Sequence, residues 1–363
     1  MGNTIMNPLL HFAMIGCGRI AAEHIRQITR VGKLVAVVDI DLLKAEQYGL
    51  PYGVPFFTNT AQLYSSGIHI DIVVIATPNG LHSIQTIEAL ENGYHVLVEK
   101  PVALTISDIS LMQIAADKAG KNIYTVMQNR FNLPVQLMKA LLDKHALGKI
   151  QQVLVKCFWH RPTSYYTNSW HGSLALDGGI LFTQYSHFID LLCWFFGEGK
   201  LIEASFNNRL HKGLIEFEDE GNLQLVFDHD VRVQMEYSIN EPYVNKEGSI
   251  NIIGEKGTMK AGGAYLNEWE HSTNDSELKD SIELLQKNIL SDFGVVLNPA
   301  AGFNLPRQSS EPNDYGNYQG SMRNHYKVYD SLVQSLQHQA PYYTSIAEAK
   351  NTIELINLIY QAR

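Results

Sequence analysis

Ala13-Met14-Ile15-Gly16-Cys17-Gly18-Arg19-Ile20-Ala21 decides the fold of the first third of the chain. An apolar run, Leu10 to Ile15, ends in two glycines, and a helical stretch from Ile20 to Thr29 follows at once. The spacing is G-x-G-x-x-A. Gly16 permits the tight turn and Gly18 lets the backbone approach a pyrophosphate. Arg19 and Ile20 open the helix whose positive dipole end faces that anion, and Ala21 keeps the helix close to the sheet. The pattern alone is a weak signal. Here a second apolar run, Leu34 to Val38, ends in Asp39, about 20 residues on, as a dinucleotide fingerprint requires. Asp39 is expected to accept hydrogen bonds from the adenosine ribose hydroxyls. Asp41 follows, and the next basic residue is Lys44. Two carboxylates repel a 2′-phosphate, so NAD is favoured over NADP.

Further along, Asp71 to Ala76 and His95 to Val98 read as buried strands, each followed by a turn and a helical pattern, and Ile123 to Met127 reads as a sixth strand. This alternation predicts an α/β Rossmann domain with a doubly wound parallel sheet over residues 1–127. From Ile150 the pattern changes. Ile150 to Trp159, Ile202 to Asn208, Asn222 to Phe227, Arg232 to Ile239 and Ser249 to Ile253 are strand-like, with one helical segment, Gly179 to Phe196, between the first two. Residues 128–363 are therefore expected to form an α+β domain with a large, mostly antiparallel sheet carrying helices on one face. Residues 264–320 read as loop with one amphipathic helix near Lys279 to Ile289. Asn324 to Arg363 is helical in period, broken near Pro341, and its last helix is expected to be able to pack back on the first domain.

Composition narrows the function. With 363 residues and a net charge of −9, the chain has no basic patch for nucleic acid. The Arg19 to Arg30 cluster is diluted by Glu23 and reads as the solvated face of a helix. Cys17, Cys157 and Cys193 lie far apart in apolar stretches, as buried thiols of a reducing compartment do. The start lacks a signal-peptide pattern, and the apolar stretch Leu191 to Phe196 is too short for a bilayer. A cytoplasmic protein without membrane partners is expected. Glu218, Asp219 and Glu220 read as a solvated hairpin turn, and no metal-ligand set is evident.

Two segments lie where ligands bind in an open α/β sheet, at the carboxyl ends of strands. They are Thr77-Pro78-Asn79-Gly80-Leu81-His82 and Glu99-Lys100-Pro101. Lys100, fixed by the following proline, is placed to touch a substrate hydroxyl beside the nicotinamide. His82 reads equally as a capping or packing histidine. The pairing of T-P-N-x-x-H with E-K-P resembles the glucose–fructose oxidoreductase/inositol dehydrogenase/MocA (Gfo/Idh/MocA) family, over almost the whole chain from Phe12 onward. Further segments resemble one subgroup, the UDP-N-acetylglucosaminuronate 3-dehydrogenases. They are Gln128-Asn129-Arg130, Tyr165-Tyr166, Ser169-Trp170-His171-Gly172, Asp177-Gly178-Gly179, Thr183 through Asp190, and Gly320-Ser321 with Asn324-His325. There are two departures. Inositol dehydrogenases carry Asp one turn before the active-site histidine, where this chain has Thr183. Between Trp170 and Gly172 the subgroup tends to carry Arg or Lys, where this chain has His171.

The resemblance implies a hydride-transferring dehydrogenase with Thr77, Asn79, His82, Glu99, Lys100 and Gln128 on the cofactor side and His187 as the active-site histidine. Spacing adds that Thr183, His187 and Asp190 fall at i, i+4 and i+7, on one helix face. An imidazole, titrating ordinarily near 6.5, suits proton removal from a hydroxyl as hydride leaves. Lys100 is expected to stabilise the developing alkoxide or share the base role. Thr183 and Gln184 support the site, and Asp190 either orients the imidazole or merely stabilises the helix. Tyr165, Tyr166 and Trp170 are candidates to stack on a sugar or uracil ring. Arg130, Arg161 and Arg323 are candidates for a uronate carboxylate or diphosphate. Asn324 and His325 are candidate substrate contacts that also read as helix caps.

The expected reaction is oxidation of the 3-hydroxyl of a UDP-N-acetylhexosaminuronate by NAD⁺ in surface-polysaccharide biosynthesis. Oxidation of a free sugar, an inositol or a glycoside is the alternative, and a cofactor-binding regulator is the third reading, against which Lys100 and His187 together stand. The acidic surface and the second sheet's open face point to a homo-oligomer, dimer or tetramer, because such relatives usually pack those sheets together.

Overall fold

The computed structural model describes residues 9–292, 312–316 and 318–363. The chain divides into two compact units. The first comprises the described part of Met1–Met127 with Ala175–Gly178 and His325–Ile353; the second takes Gln128–Leu174, the described part of Gly179–Asn324, and Glu354–Arg363.

In the first unit the order is β1 (Leu10–Ile15), α1 (Ala21–Val31), β2 (Gly32–Val38), α2 (Leu42–Tyr52), β3 (Phe56–Phe57), α3 (Thr60–Ser65), β4 (Ile72–Ile75), α4 (His82–Glu91), β5 (His95–Val98), α5 (Ile106–Ala119) and β6 (Ile123–Thr125). All strand pairs are parallel, in the order β3-β2-β1-β4-β5-β6. That is the doubly wound Rossmann order, with the ligand crevice at the carboxyl ends where the order reverses. The central strands are apolar without alternation because helices cover both faces: Ile72 to Ile75 and Val96 to Val98 are fully buried. Local signals set the helix ends. Thr105 caps α5 by accepting the Asp108 N–H at 3.1 Å, and Gly120 closes it in the left-handed conformation.

The second unit continues with α6 (Leu133–Asp143), β7 (Ile150–Phe158), α7 (Thr163–Tyr166), α8 (Ile180–Thr183), α9 (Ser186–Phe196), β8 (Gly199–Asn207), β9 (Glu220–Phe227), β10 (Val231–Ser238), β11 (Glu247–Gly254), β12 (Thr258–Gly262), β13 (Glu268–Ser272), α10 (Ser276–Asp292), β14 (Pro312–Asp314) and β15 (Gln319–Met322). Its seven-stranded sheet runs β13-β12-β11-β7-β10-β9-β8, antiparallel except for the β7–β10 pair. Strand β10 alternates buried Val231, Val233, Met235 and Tyr237 with exposed Arg232, Gln234 and Glu236. One face of the sheet is therefore core and the other polar. Helices α11 (His325–His338) and α12 (Ile346–Tyr360) end the chain on either side of Pro341.

Several expectations need correcting. The stretch Gly179 to Phe196 is two helices, because Tyr185 is non-helical (φ −113°, ψ 6°). Its ring is seated against Trp159, Phe188 and Tyr237, and its hydroxyl donates to the Ser238 carbonyl at 2.7 Å. Thr183 thus ends α8 while His187 and Asp190 share α9, so the three do not lie on one continuous helix face. Within 264–320, expected to be loop, β13, β14 and β15 form, and the amphipathic helix extends to Ser276–Asp292; residues 293–311 of that stretch lie outside the described residues. Glu218 and Asp219 are buried rather than a solvated turn. Asp219 accepts the backbone N–H groups of Arg209, Leu210 and His211, and Glu218 accepts the Tyr360 hydroxyl at 2.8 Å. Glu23, expected on a solvated face, is likewise buried and takes the Arg26 guanidinium at 2.7 Å.

Candidate active site

The glycine turn after β1 has the geometry its residues require. Gly16 sits at φ +94°, and a Cβ there would lie 2.5 Å from the Ala76 carbonyl oxygen. A Cβ on Gly18 would meet nothing within 4 Å, so that backbone edge is open for close approach. Arg19 is exposed beside it, and Ile20 precedes α1 with no side-chain cap on the helix N–H groups. Asp39 accepts the Cys17 N–H at 2.8 Å with one oxygen and the Asp41 N–H at 2.9 Å with the other. These bonds orient the carboxylate at the end of β2 and leave it lone pairs for ribose hydroxyls. Lys44 is paired with Asp41 at 3.6 Å. Burial and the neighbouring Asp39 push the Cys17 thiol up to about 12, which keeps it neutral in this loop.

The segments after β4 and β5 are tied to each other through His82. One ring nitrogen meets the Pro101 carbonyl at 2.7 Å and the other the Thr77 carbonyl at 2.9 Å. Burial holds this imidazole below its usual range, outweighing the two carbonyls that favour the charged form. His82 therefore braces two loops and has both nitrogens occupied, as its packing reading expects. The Thr77 hydroxyl donates to Gln85 at 2.6 Å, and the Asn79 amide donates to the Asp177 carbonyl at 2.8 Å.

Glu99, expected on the cofactor side, is buried. One of its oxygens meets His24 Nε2 at 2.9 Å and His325 Nε2 at 3.4 Å; the other accepts the Lys100 N–H at 3.0 Å. Burial alone would raise this carboxyl, but the hydrogen bonds from the two imidazoles hold it well below the usual range. His325, a candidate substrate contact in the sequence, is 0% exposed, with its Nε2 on Glu99. Although no metal-ligand set was read in the sequence, ligand-type atoms of His24, Glu99 and His325, and of His11, His69 and Asp71, lie within 4.8 Å of one another among the described residues.

In the second unit, His187 is buried on α9. Asp190, one turn on, gives both oxygens to Arg130, at 2.9 and 2.8 Å, with Trp194 stacked 4.9 Å from the guanidinium. Arg130 and Asp190 are 2% and 1% exposed. Arg130, a candidate anion contact in the sequence, is thus paired with a buried carboxylate, and Asp190 is its counter-ion. Asn324 is also buried, donating to Asn132, whose own amide donates to the Tyr265 carbonyl; it is a structural link. Gln128 donates to the Ser321 hydroxyl at 2.8 Å.

Arg161 is buried with its guanidinium over the rings of Trp159, Tyr165 and Tyr318, at 5.1, 5.6 and 4.8 Å. Gln184 accepts from its Nε at 2.6 Å and donates to the Tyr165 hydroxyl at 3.0 Å. The His171 ring stacks on Tyr165 with centroids 4.0 Å apart and has Trp170 at 3.8 Å on its other side. Tyr166 packs against Tyr165 and His211. Arg161, Tyr165, Tyr166, Trp170 and Gln184 thus form one cluster. Arg323 is half-buried. Sequence reading missed His24, Tyr318 and Asn245, the last accepting from Arg161 Nη1 at 3.2 Å. Only His24 carried a signal, as a polar residue on the inner face of a helix that opens a dinucleotide fold.

A family model described as an oxidoreductase family with an NAD-binding Rossmann fold matches residues 10–127, and the GFO/IDH/MocA C-terminal domain matches residues 135–260. The chain belongs to the Gfo/Idh/MocA oxidoreductase family. Its cofactor is NAD.

Two solved relatives are similar over the full length. The WlbA dehydrogenase of Chromobacterium violaceum, solved with NADH and UDP-GlcNAcA, is 29% identical with a TM-score of 0.82, covering 99% of this chain and 94% of the other. WlbA of Bordetella pertussis, solved with the same ligands, is 28% identical with a TM-score of 0.82, covering 99% and 96%. Among curated sequences, a 1-carboxy-3-chloro-3,4-dihydroxycyclohexa-1,5-diene dehydrogenase of Comamonas testosteroni is 27% identical over 62% of this chain and 56% of its own length. The match thus spans little more than half of that relative. No helix among the described residues is long and apolar enough to cross a membrane.

Proposed function

We propose that this protein is an NAD-dependent sugar dehydrogenase that oxidises the 3-hydroxyl of a UDP-N-acetylhexosaminuronate to a 3-keto nucleotide sugar, in surface-polysaccharide biosynthesis. The observation that carries the reading is full-length similarity to two dehydrogenases solved with NADH and UDP-GlcNAcA. NAD⁺, held at the glycine turn of Gly16 and Gly18 and by Asp39, would supply the acceptor for the hydride leaving the sugar carbon. Lys100 holds the reacting hydroxyl and stabilises the charge that develops on its oxygen. His187 takes the hydroxyl proton, with Thr183 and Gln184 in support and Asp190 acting through its helix. The cluster of Arg161, Tyr165, Tyr166 and Trp170 combines a planar cation with aromatic faces, a chemistry suited to a carboxylate and a sugar or uracil ring. Arg323 is a further anion contact in this proposal. A cytoplasmic homo-oligomer is part of the same reading, supported by the polar open face of the second sheet.

A second reading, oxidation of an unactivated cyclic polyol or free sugar, is favoured by the Comamonas testosteroni relative, whose named substrate carries no nucleotide. The test is NADH absorbance after mixing the protein with NAD⁺ and each of UDP-N-acetylglucosaminuronate, UDP-N-acetylglucosamine, glucose and inositol. Turnover of the uronate alone supports the proposal. Turnover of glucose or inositol with none of the uronate overturns it in favour of the second reading.

A further inference from the structure

We propose that Glu99 is the positioning residue of Lys100, and that His24 and His325 exist to hold it in that role. The inference rests on the reading of Lys100 given above. Strand β5 ends at Val98, so the regular ladder stops before the lysine. From there the backbone is steered by side chains: the Lys100 N–H donates to one Glu99 oxygen at 3.0 Å, and the Pro101 carbonyl meets His82 at 2.7 Å. The Glu99–Lys100 peptide and, one residue past the lysine, the Pro101–Val102 peptide are thus each gripped by a buried polar group.

The grip on the Glu99 side is itself held from two distant helices. His24 of α1 and His325 of α11 converge on the oxygen that Lys100 does not use, at 2.9 and 3.4 Å, and Tyr329 of α11 meets His24 Nδ1 at 2.9 Å. Their side chains are 0% exposed for both histidines and 10% for Glu99. A carboxylate so placed is unfavourable unless each lone pair is met, and an apolar side chain of similar volume would pack there at no such disadvantage. What an apolar side chain does not provide is an anionic acceptor for the backbone N–H of Lys100. The charged and titratable groups facing the cluster are Glu23, which acts on Tyr329, and His82 with Lys100, which lie on the Glu99 side. Residues in this arrangement act through Lys100 and touch neither substrate nor cofactor.

The test uses the full-length protein with NAD bound and reads two quantities. Hydrogen exchange of the Lys100 amide needs no substrate, and kcat with KM is measured on whichever sugar the wild type turns over. Glu99→Ala and His24→Leu are expected to speed exchange at Lys100 about tenfold or more. They are expected to lower kcat about tenfold or more with KM little changed. His24→Gln, which keeps an amide donor near the Nε2 position, is expected to restore both. Glu99→Gln keeps the shape and serves if Glu99→Ala does not fold, with an intermediate effect expected. Unchanged exchange in the Glu99 variants overturns the proposal, as does faster exchange with unaltered kcat. A stoichiometric metal lost in His24→Leu overturns it too, since the cluster would then be a metal site. A wild type inactive on every sugar sinks the proposed function and leaves the exchange arm to decide the positioning by itself.

Discussion

Asp190 and Arg130 are locked in a two-pronged ion pair, 2.9 and 2.8 Å, in a place that is almost wholly closed to water. Breaking such a pair leaves a bare charge in the core, which costs about 3–5 kcal/mol, whereas replacing both partners by apolar groups is often tolerated. Asp190→Ala is therefore expected to lower Tm markedly, and Asp190→Leu combined with Arg130→Met to recover most of the loss. Thermal unfolding of the single and double variants checks this. Equal losses in single and double variants would show that the pair does not hold the fold.

Lys100→Met and His187→Gln are each expected to lower kcat by roughly a hundredfold, the usual scale for acid–base groups, with NAD affinity little changed. Turnover and calorimetric NAD binding measure the two quantities separately. Intact turnover in Lys100→Met would remove Lys100 from the proposed chemistry.

The two glycines of the turn separate folding from binding. Gly16→Ala puts a Cβ 2.5 Å from a backbone oxygen at φ +94° and is expected to destabilise the protein by at least about 1–2 kcal/mol. Gly18→Ala enters open space and is expected to leave Tm unchanged while weakening NAD binding. Tm and NAD titration of both variants decide the matter.

Asp39→Ala is expected to weaken NAD binding about tenfold, the scale of losing a charged hydrogen bond. Discrimination against NADP should narrow at the same time, because the repelling carboxylate is gone. Side-by-side titrations with the two dinucleotides measure this, and an unchanged preference would place discrimination elsewhere.

Burial raises Glu218 from 4.5 to about 7, despite the Tyr360 hydroxyl that it accepts. The folded state therefore binds more protons than the unfolded state between those values, and stability falls as pH rises through that window. At about 1.4 kcal/mol per unit the total is on the order of 3–4 kcal/mol. Glu218→Gln is expected to flatten the decline in Tm between pH 5 and pH 8. A variant as pH-sensitive as the wild type would mean that another group titrates there.

The fold was legible where periodicity and turn chemistry agree. Gly16, Gly18 and Asp39 announce a dinucleotide sheet because each meets a steric or electrostatic demand local to the chain. The alternation of Val231, Val233 and Met235 announces a one-sided sheet in the same way. The break at Tyr185 was not legible, because its cause is an aromatic seat formed by Trp159 and Tyr237, far away in sequence. Nor were the partners of Glu99 and Asp190, since helix spacing says which residues share a face and nothing about what another element brings to it. The strands Glu268–Ser272 and Gln319–Met322 are short and polar, and pattern alone gives such strands little signal.

His325 reaches Glu99 across a separation of 226 residues. At a ribosome adding about 5–20 residues per second, that gap corresponds to roughly 10–45 seconds of synthesis. Throughout that interval the nascent Rossmann sheet already contains the carboxylate and His24, while the second imidazole and Tyr329 have yet to be made. The amino-terminal third of this enzyme is therefore made with its buried acid met by one imidazole of two, and the settling of Lys100 waits on a helix translated long afterwards.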